Sequence, residues 1–332
     1  MLDRMRQRLE GQEKSSETIG VLVMSYGTPA SLDQIEAYYT HIRCGHPPTE
    51  AQLDDLIRRY NAIVGGFFPL RRNTDRQAEA LQEKLRQMCP DLRFQCYQGL
   101  KHAQPFIEDG VRAMAADGIR VAAGIVLAPH YSAMSVGSYI NRAREAAAEA
   151  GVRMSFAESY HLHPKLIQAF ADRVRRGLAR FTEADPEEVK VLFTAHSLPE
   201  RILQMSDPYV DQLMETARAV AEQAGVRGWQ FAWQSAGRTN ETWLGPDVLE
   251  ELERLSRDEG VNTVLVCPVG FVSDHLEVLY DLDIEAQTLA KRLGLHLERT
   301  EMLNTEPLYM EVLADATLEC LSAQEEANRP DA

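Results

Sequence analysis

No run of the sequence approaches the ~18 consecutive apolar residues of a membrane span. Residues 1–17, MLDRMRQRLEGQEKSSE, have no apolar centre of the kind a secretory signal needs. An integral membrane protein is therefore not expected, and the natural expectation is a cytoplasmic chain with a polar N-terminal extension at 1–18. Cysteine is scarce. Cys44, Cys89, Cys96, Cys267 and Cys320 make an odd set with no CxxC spacing, which argues against a disulfide framework or a zinc knuckle and for isolated reduced thiols. Basic residues are outnumbered 35 to 50, a net charge of −15. That disfavours nucleic acid as a partner, because phosphate binding needs basic surface; an anionic small molecule needs only a local basic patch. GxGxxG, Walker A and GxSxG patterns are all missing, so neither a nucleotide fold nor a serine hydrolase has its fingerprint.

What is present is ordinary globular composition, 45% apolar and 26% charged over 332 residues, long enough for two domains with cores of their own. The chain is organised around residues 189–199, VKVLFTAHSLP, which predict a buried strand that presents His196 and turns into a helix. In open α/β sheets ligands sit at the carboxyl ends of strands, so His196 is expected at the mouth of a cleft.

Strands are predicted at 19–25, 93–99, 120–128 and 154–159, and again at 189–195, 229–234 and 261–269. Helical spacing fills the segments between them, at 33–43, 49–62, 73–88, 105–117, 138–150, 164–181, 207–224 and 246–258. Strands alternating with helices of this length predict βαβ units and parallel sheets. The halves echo one another. Met24-Ser25-Tyr26-Gly27-Thr28-Pro29 parallels Thr194-Ala195-His196-Ser197-Leu198-Pro199, and Leu127-Ala128-Pro129-His130-Tyr131 parallels Val266-Cys267-Pro268-Val269-Gly270. We therefore expect an α/β protein of two similar Rossmann-like halves, each a parallel four-stranded sheet flanked by helices, with a cleft between them. The halves are placed at 19–162 and 163–306, with 307–332 a final helix and tail that could return to the first half.

Several residues could carry chemistry. His196 has the right place for it, although a histidine on an apolar segment is more often a satisfied core residue. After residue 273, Glu277, Asp281 and Glu285 fall at i, i+4 and i+8, one stripe of an α-helix. A solvated acidic face is one reading; the other is a row that draws a divalent cation toward the strand end, where carboxylate and imidazole suit a borderline metal. The first half supplies rings and cations instead: Tyr26, Tyr38, Tyr39, Arg43, Arg59, Tyr60, Lys101, His102 and Tyr139. Arginine and lysine in an acidic protein suit a ligand bearing carboxylates, and tyrosine suits a flat apolar one.

Taken together, Tyr26-Gly27-Thr28-Pro29, Tyr38-Tyr39-Thr40-His41-Ile42-Arg43, Gly99-Leu100-Lys101-His102, Ala195-His196-Ser197-Leu198-Pro199, Trp243-Leu244-Gly245-Pro246 and the block from Pro268 to Glu277 resemble ferrochelatase. The likeness runs from about residue 19 to 320. In detail it is most like the soluble enzymes of Gram-positive bacteria, which implies a class II chelatase-like fold and insertion of Fe2+ into coproporphyrin III rather than protoporphyrin IX. The resemblance implies that His196 and Glu277 bind Fe2+ and take part in pyrrole deprotonation, and that Tyr26 can ligate iron from the opposite face. It implies porphyrin and carboxylate contacts at Arg43, Arg59, Tyr60 and Tyr139. It also implies an outer site at Asp281 and Glu285 for a second divalent ion such as Mg2+. Two departures stand out: Phe68 replaces a porphyrin-contacting serine of a GGxSPL loop, and an extra residue near Val64 lengthens that loop. No cysteines match the ligands of an iron–sulfur cluster, so none is expected. Expected partners are the porphyrin and the heme-pathway enzymes receiving the product, and the expected state is a monomer. Rival readings are a ferrochelatase acting on protoporphyrin IX, a cobalt or nickel chelatase for an early tetrapyrrole, a non-catalytic tetrapyrrole carrier and a bilobal solute-binding protein.

Overall fold

The computed structural model describes residues 18–64, 68–185, 187–237 and 239–327. The polar extension and the lengthened part of the loop at 65–67 therefore lie outside the described residues. Thr18–Ser25 (β1) is buried along its last six positions, as a strand covered on both faces must be. Three helices follow, Ile35–Ile42 (α1), Glu50–Val64 (α2) and Pro69–Met88 (α3), before the chain returns as Arg93–Leu100 (β2). Next come Ile107–Ala116 (α4), Val121–Val126 (β3), Val136–Ala150 (α5) and Arg153–Ala157 (β4). The sheet order is β2-β1-β3-β4 and every pairing is parallel.

The second half repeats the order. Pro164–Leu178 (α6) leads into Lys190–His196 (β5), then Tyr209–Ala224 (α7), Trp229–Gln234 (β6), Val248–Asp258 (α8) and Thr263–Cys267 (β7). A π-helix at Glu277–Ala286, the helix Gln287–Leu293 (α9) and the strand His296–Arg299 (β8) complete it. Its parallel sheet runs β6-β5-β7-β8. In both halves the first strand lies between the second and third, so β1 and β5 end at the point where the winding reverses, the usual ligand crevice.

Several boundaries differ from the sequence reading for identifiable reasons. α3 begins at Pro69 rather than residue 73, since proline at the first helical position gives up no intrahelical bond. The turn after His196 leads only to a short 3-10 segment, Glu200–Gln204. The true helix waits for Asp207, whose carboxylate accepts the Tyr209 N–H at 3.0 Å. β7 stops at Cys267 because Pro268 offers no N–H to the ladder. β8 was not predicted individually; four residues, HLER, at a sheet edge carry too little alternation to be seen. The acidic segment is a π-helix rather than the α-helix expected, so the i, i+4, i+8 row is not one α-helical stripe. Asp281 is buried while Glu277 and Glu285 are half-buried.

Pro307–Ala327 (α10) packs against α3, α6, β3 and β4. Its Tyr309 hydroxyl lies 3.2 Å from that of Tyr160, which donates to Val126 O at 2.9 Å. One apolar cluster includes Val21 and Leu81 of the first half, Phe170, Phe193 and Leu265 of the second, and Leu313 of α10. The two sheets are thus joined by a continuous core rather than by a flexible link.

Candidate active site

Tyr26 follows directly on the end of β1. Gly27 behind it has φ +85, and a Cβ there would come within 3.0 Å of Ala103, so the turn that exposes Tyr26 favours glycine. Tyr26 is 39% exposed, unusual for a large ring in this chain. It leans on His102, with ring centroids 4.6 Å apart. The His102 N–H donates to Tyr26 O at 3.0 Å, and its Nδ1 lies 3.0 Å from His41 Nδ1. Burial, with Lys101, His41 and Arg142 nearby, pushes the His102 imidazole down to about 3, so the ring is neutral. Lys101 lies 4.9 Å above the Tyr139 ring. Burial and Arg142 lower its ammonium to about 8.

Tyrosines form the rest of this wall. Tyr38 donates to Gly27 O at 3.1 Å, and Tyr60 Oη is 3.1 Å from Thr28 Oγ1. Burial raises the phenols of Tyr26, Tyr38, Tyr60 and Tyr139, and the Glu277 carboxylate adds to the rise in each. The Glu277 carboxylate of the second half thus acts on four phenols of the first half.

His196 is the last residue of β5. Its Nδ1 meets the carbonyl of Ser197, and since a carbonyl only accepts, Nδ1 carries the hydrogen and Nε2 keeps its lone pair. Burial lowers the His196 pKa, opposed by Glu277. A neutral imidazole with a free lone pair can take a proton or a metal ion. Tyr209 Oη donates to His196 O at 3.0 Å, Ser197 N donates to Gln234 O at 2.7 Å, and Trp243 and Phe271 flank the ring.

Glu277 opens the π-helix. Its Oε2 lies 3.2 Å from His275 Nε2, while His275 Nδ1 is 2.8 Å from Ser273 O. With Nδ1–H donated to that carbonyl, a hydrogen bond between Nε2 and the carboxylate requires one further proton on the pair. Gln234 bridges the strand ends. Its Oε1 accepts from Thr194 Oγ1 at 2.6 Å, and its Nε2 donates to Glu277 O at 3.4 Å. Gln234 and His275 are not among the site residues expected from the sequence. The signals available were a polar residue closing β6 after Ala232 and Trp233 and a histidine two places before the glutamate.

The remaining predicted residues are less uniform. Asp281 accepts from Ser235 Oγ and lies 3.7 Å from Arg59 Nη1. Burial lifts its carboxyl to about 7, with Ser235 and Arg59 opposing and Glu277 and Glu285 adding. Arg59 is also bound to Asp55 at 3.1 Å and lies 4.9 Å above the Tyr280 ring, so it links α2 to the π-helix. Among the described residues no three His, Cys, Asp or Glu gather to hold a metal ion, and Glu277, Asp281 and Glu285 do not form such a group. Arg43 donates to His46 O at 3.1 Å and lies 5.7 Å from the Tyr39 ring. Phe68 is only 5% exposed and packs 4.8 Å from the Tyr60 ring in a small core with Ile35 and Leu276. Its ring supports Tyr60 instead of reaching into open space.

Comparison with known proteins points one way. Residues 18–321 match the ferrochelatase family. The chain is 45% identical over 311 residues to the coproporphyrin III ferrochelatase of Geobacillus thermodenitrificans, covering 93% of this chain and 98% of that one. It is 46% identical over 312 residues to that of Halalkalibacterium halodurans, covering 94% and 100%. Among solved structures, SirB from Bacillus subtilis with Fe3+ superposes with a TM-score of 0.60 at 14% identity, covering 94% of this chain and 98% of that chain. CbiX, described as the terminal enzyme of siroheme biosynthesis in denitrifying bacteria, has a TM-score of 0.50 at 11% identity, covering 94% and 100%. These two likenesses concern the fold.

Proposed function

The chain belongs to the ferrochelatase family, and from that premise we propose that it inserts Fe2+ into coproporphyrin III, giving the iron porphyrin of heme biosynthesis. What supports this reading is that Glu277 acts on both His196 at the end of β5, where it opposes the lowering by burial, and the phenols of Tyr26, Tyr60 and Tyr139 in the first half, where it adds to the rise. A planar macrocycle is taken to lie against the exposed Tyr26 ring. To accept Fe2+ it must lose two pyrrole protons while the ion sheds water. The His196 Nε2 lone pair and the Glu277 carboxylate are the bases at hand, and the same atoms suit Fe2+ as substrate. Tyr26 takes the opposite face, where its oxygen can meet the inserted iron. Arg43, Arg59, Tyr60 and Tyr139 are assigned to the porphyrin and its carboxylates.

The continuous core between the sheets favours a stiff cleft, so that binding energy at the periphery bends the ring toward the metal. The outer pair Asp281 and Glu285 is assigned to a second divalent ion such as Mg2+. Among the described residues no helix is long and apolar enough to cross a membrane, and we place the enzyme in the cytoplasm as a monomer that passes its product to heme-pathway enzymes. Residues 19–162 and 163–306 are taken as its two lobes.

The test is anaerobic turnover of Fe2+ with coproporphyrin III and, separately, protoporphyrin IX. Wild type is expected to prefer coproporphyrin III, and His196→Ala to lose about 10²–10⁴-fold in kcat while still binding porphyrin. Binding without insertion by the wild type would make the protein a carrier instead.

A further inference from the structure

Tyr26 and Glu277 belong to different halves, yet one turn of α3 touches the segments that carry both. Thr74 Oγ1 lies 3.3 Å from the hydroxyl of Ser25, the residue before Tyr26. Gln77 Nε2 donates to Ser273 Oγ at 2.9 Å and to Asn304 O at 2.8 Å, spending both of its hydrogens, and its Oε1 accepts from Ser273 Oγ at 3.2 Å. Asn73 Nδ2 donates to Asp274 O at 3.1 Å and to Asn304 Oδ1 at 3.1 Å. Asn304 in turn accepts the Asp274 N–H at 3.0 Å and donates to its carboxylate at 2.8 Å. Ser273 and Asp274 lead directly into Glu277.

Asn73 and Gln77 stand at i and i+4, on the same face of the helix. Gln77 is 0% exposed and Ser273 5%, so these bonds act where water cannot replace them. We propose that α3 is the strut that sets the height of the cleft, with Gln77 a positioning residue holding the Glu277 segment at its working distance from Tyr26. None of these side chains has to touch the substrate. A second polar seam joins the halves elsewhere, where Gln212 Oε1 accepts the Tyr131 N–H at 2.7 Å and the Ser159 hydroxyl at 3.0 Å; it serves as a comparison.

The proposal rests on the iron-insertion reading, and the experiment separates the two. Anaerobic steady-state kinetics with Fe2+ and coproporphyrin III are run on Gln77→Ala, Ser273→Ala and their double variant. Each single change should lower kcat about tenfold or more with the porphyrin KM within about threefold, and the double variant should be no worse than the worse single. Gln77→Ala combined with Gln212→Ala should instead multiply the separate losses. Ser273→Thr, which keeps the hydroxyl, should recover most of what Ser273→Ala loses; this pair decides the matter if Gln77→Ala does not fold. Single variants within twofold of wild type, multiplying losses in the Gln77 and Ser273 cycle, or a Ser273→Thr enzyme no better than Ser273→Ala would each remove the strut. A wild type that inserts no iron would remove the underlying reading.

Discussion

The Tyr209 hydroxyl donates to the carbonyl oxygen of His196 at 3.0 Å, so a helix of the second half holds the main chain of the residue that ends β5. Tyr209→Phe keeps the ring and removes that donor. Losing a hydrogen bond to this partly buried carbonyl costs about 0.5–1.5 kcal/mol, which a lowered urea midpoint should show. We expect kcat to fall several-fold with porphyrin affinity unchanged. A variant that is less stable but fully active would mean His196 is held by β5 alone.

Glu277→Gln preserves shape and removes charge. Metal insertion should drop by at least about 10² if the carboxylate serves as base or ligand. The same change removes the negative charge that adds to burial in raising the Tyr26 phenol, so Tyr26 should ionise at lower pH. A phenolate absorbance titration of Glu277→Gln, with and without Tyr26→Phe, checks this; an unmoved titration would place Glu277 too far from that wall to face it.

Asp281 gives a stability prediction of unusual sign. Its carboxyl is lifted to about 7 in the folded protein, above the ordinary value of about 3.9. Between those values the folded state binds the extra proton, so Asp281 makes the protein less stable as pH rises from about 4 to 7. Asp281→Asn should therefore resist urea better than wild type above pH 7, an advantage that shrinks toward pH 4. Lost pairing to Arg59 and Ser235 works against the gain. A difference independent of pH would show that Asp281 does not titrate in this window.

His130 behaves in the opposite sense. It is buried, with Nε2 2.9 Å from Thr216 Oγ1 across the two halves. Burial, with His161 beside it, pushes it down to about 3. Unfolded, it would take a proton below about 6.5. Its contribution is thus complete above about pH 6.5 and is lost as pH falls toward 3. Urea midpoints of wild type and His130→Gln should diverge at neutral pH and converge in acid; parallel curves would contradict this.

The sequence by itself was enough for the architecture and for the strand-end positions of Tyr26 and His196. Buried strands such as VKVLFTAH alternate with amphipathic helices, and that periodicity dictates parallel sheets. The small-residue turns after Ser25 and Ala195 placed Tyr26 and His196 at strand ends, because the constraint is local. The π-helix was not legible, since EVLYDLDIEA keeps α-helical spacing and only packing widened the turn. The burial of Asp281 and the tie between Arg59 and Asp281 also depend on packing, between α2 and the π-helix. The four-residue β8 depends on an edge position that pattern does not encode. The hydrogen bonds of Gln77, Gln234 and His275 were not legible for the same reason: their partners are distant in sequence or on the main chain, and only the folded chain brings them together.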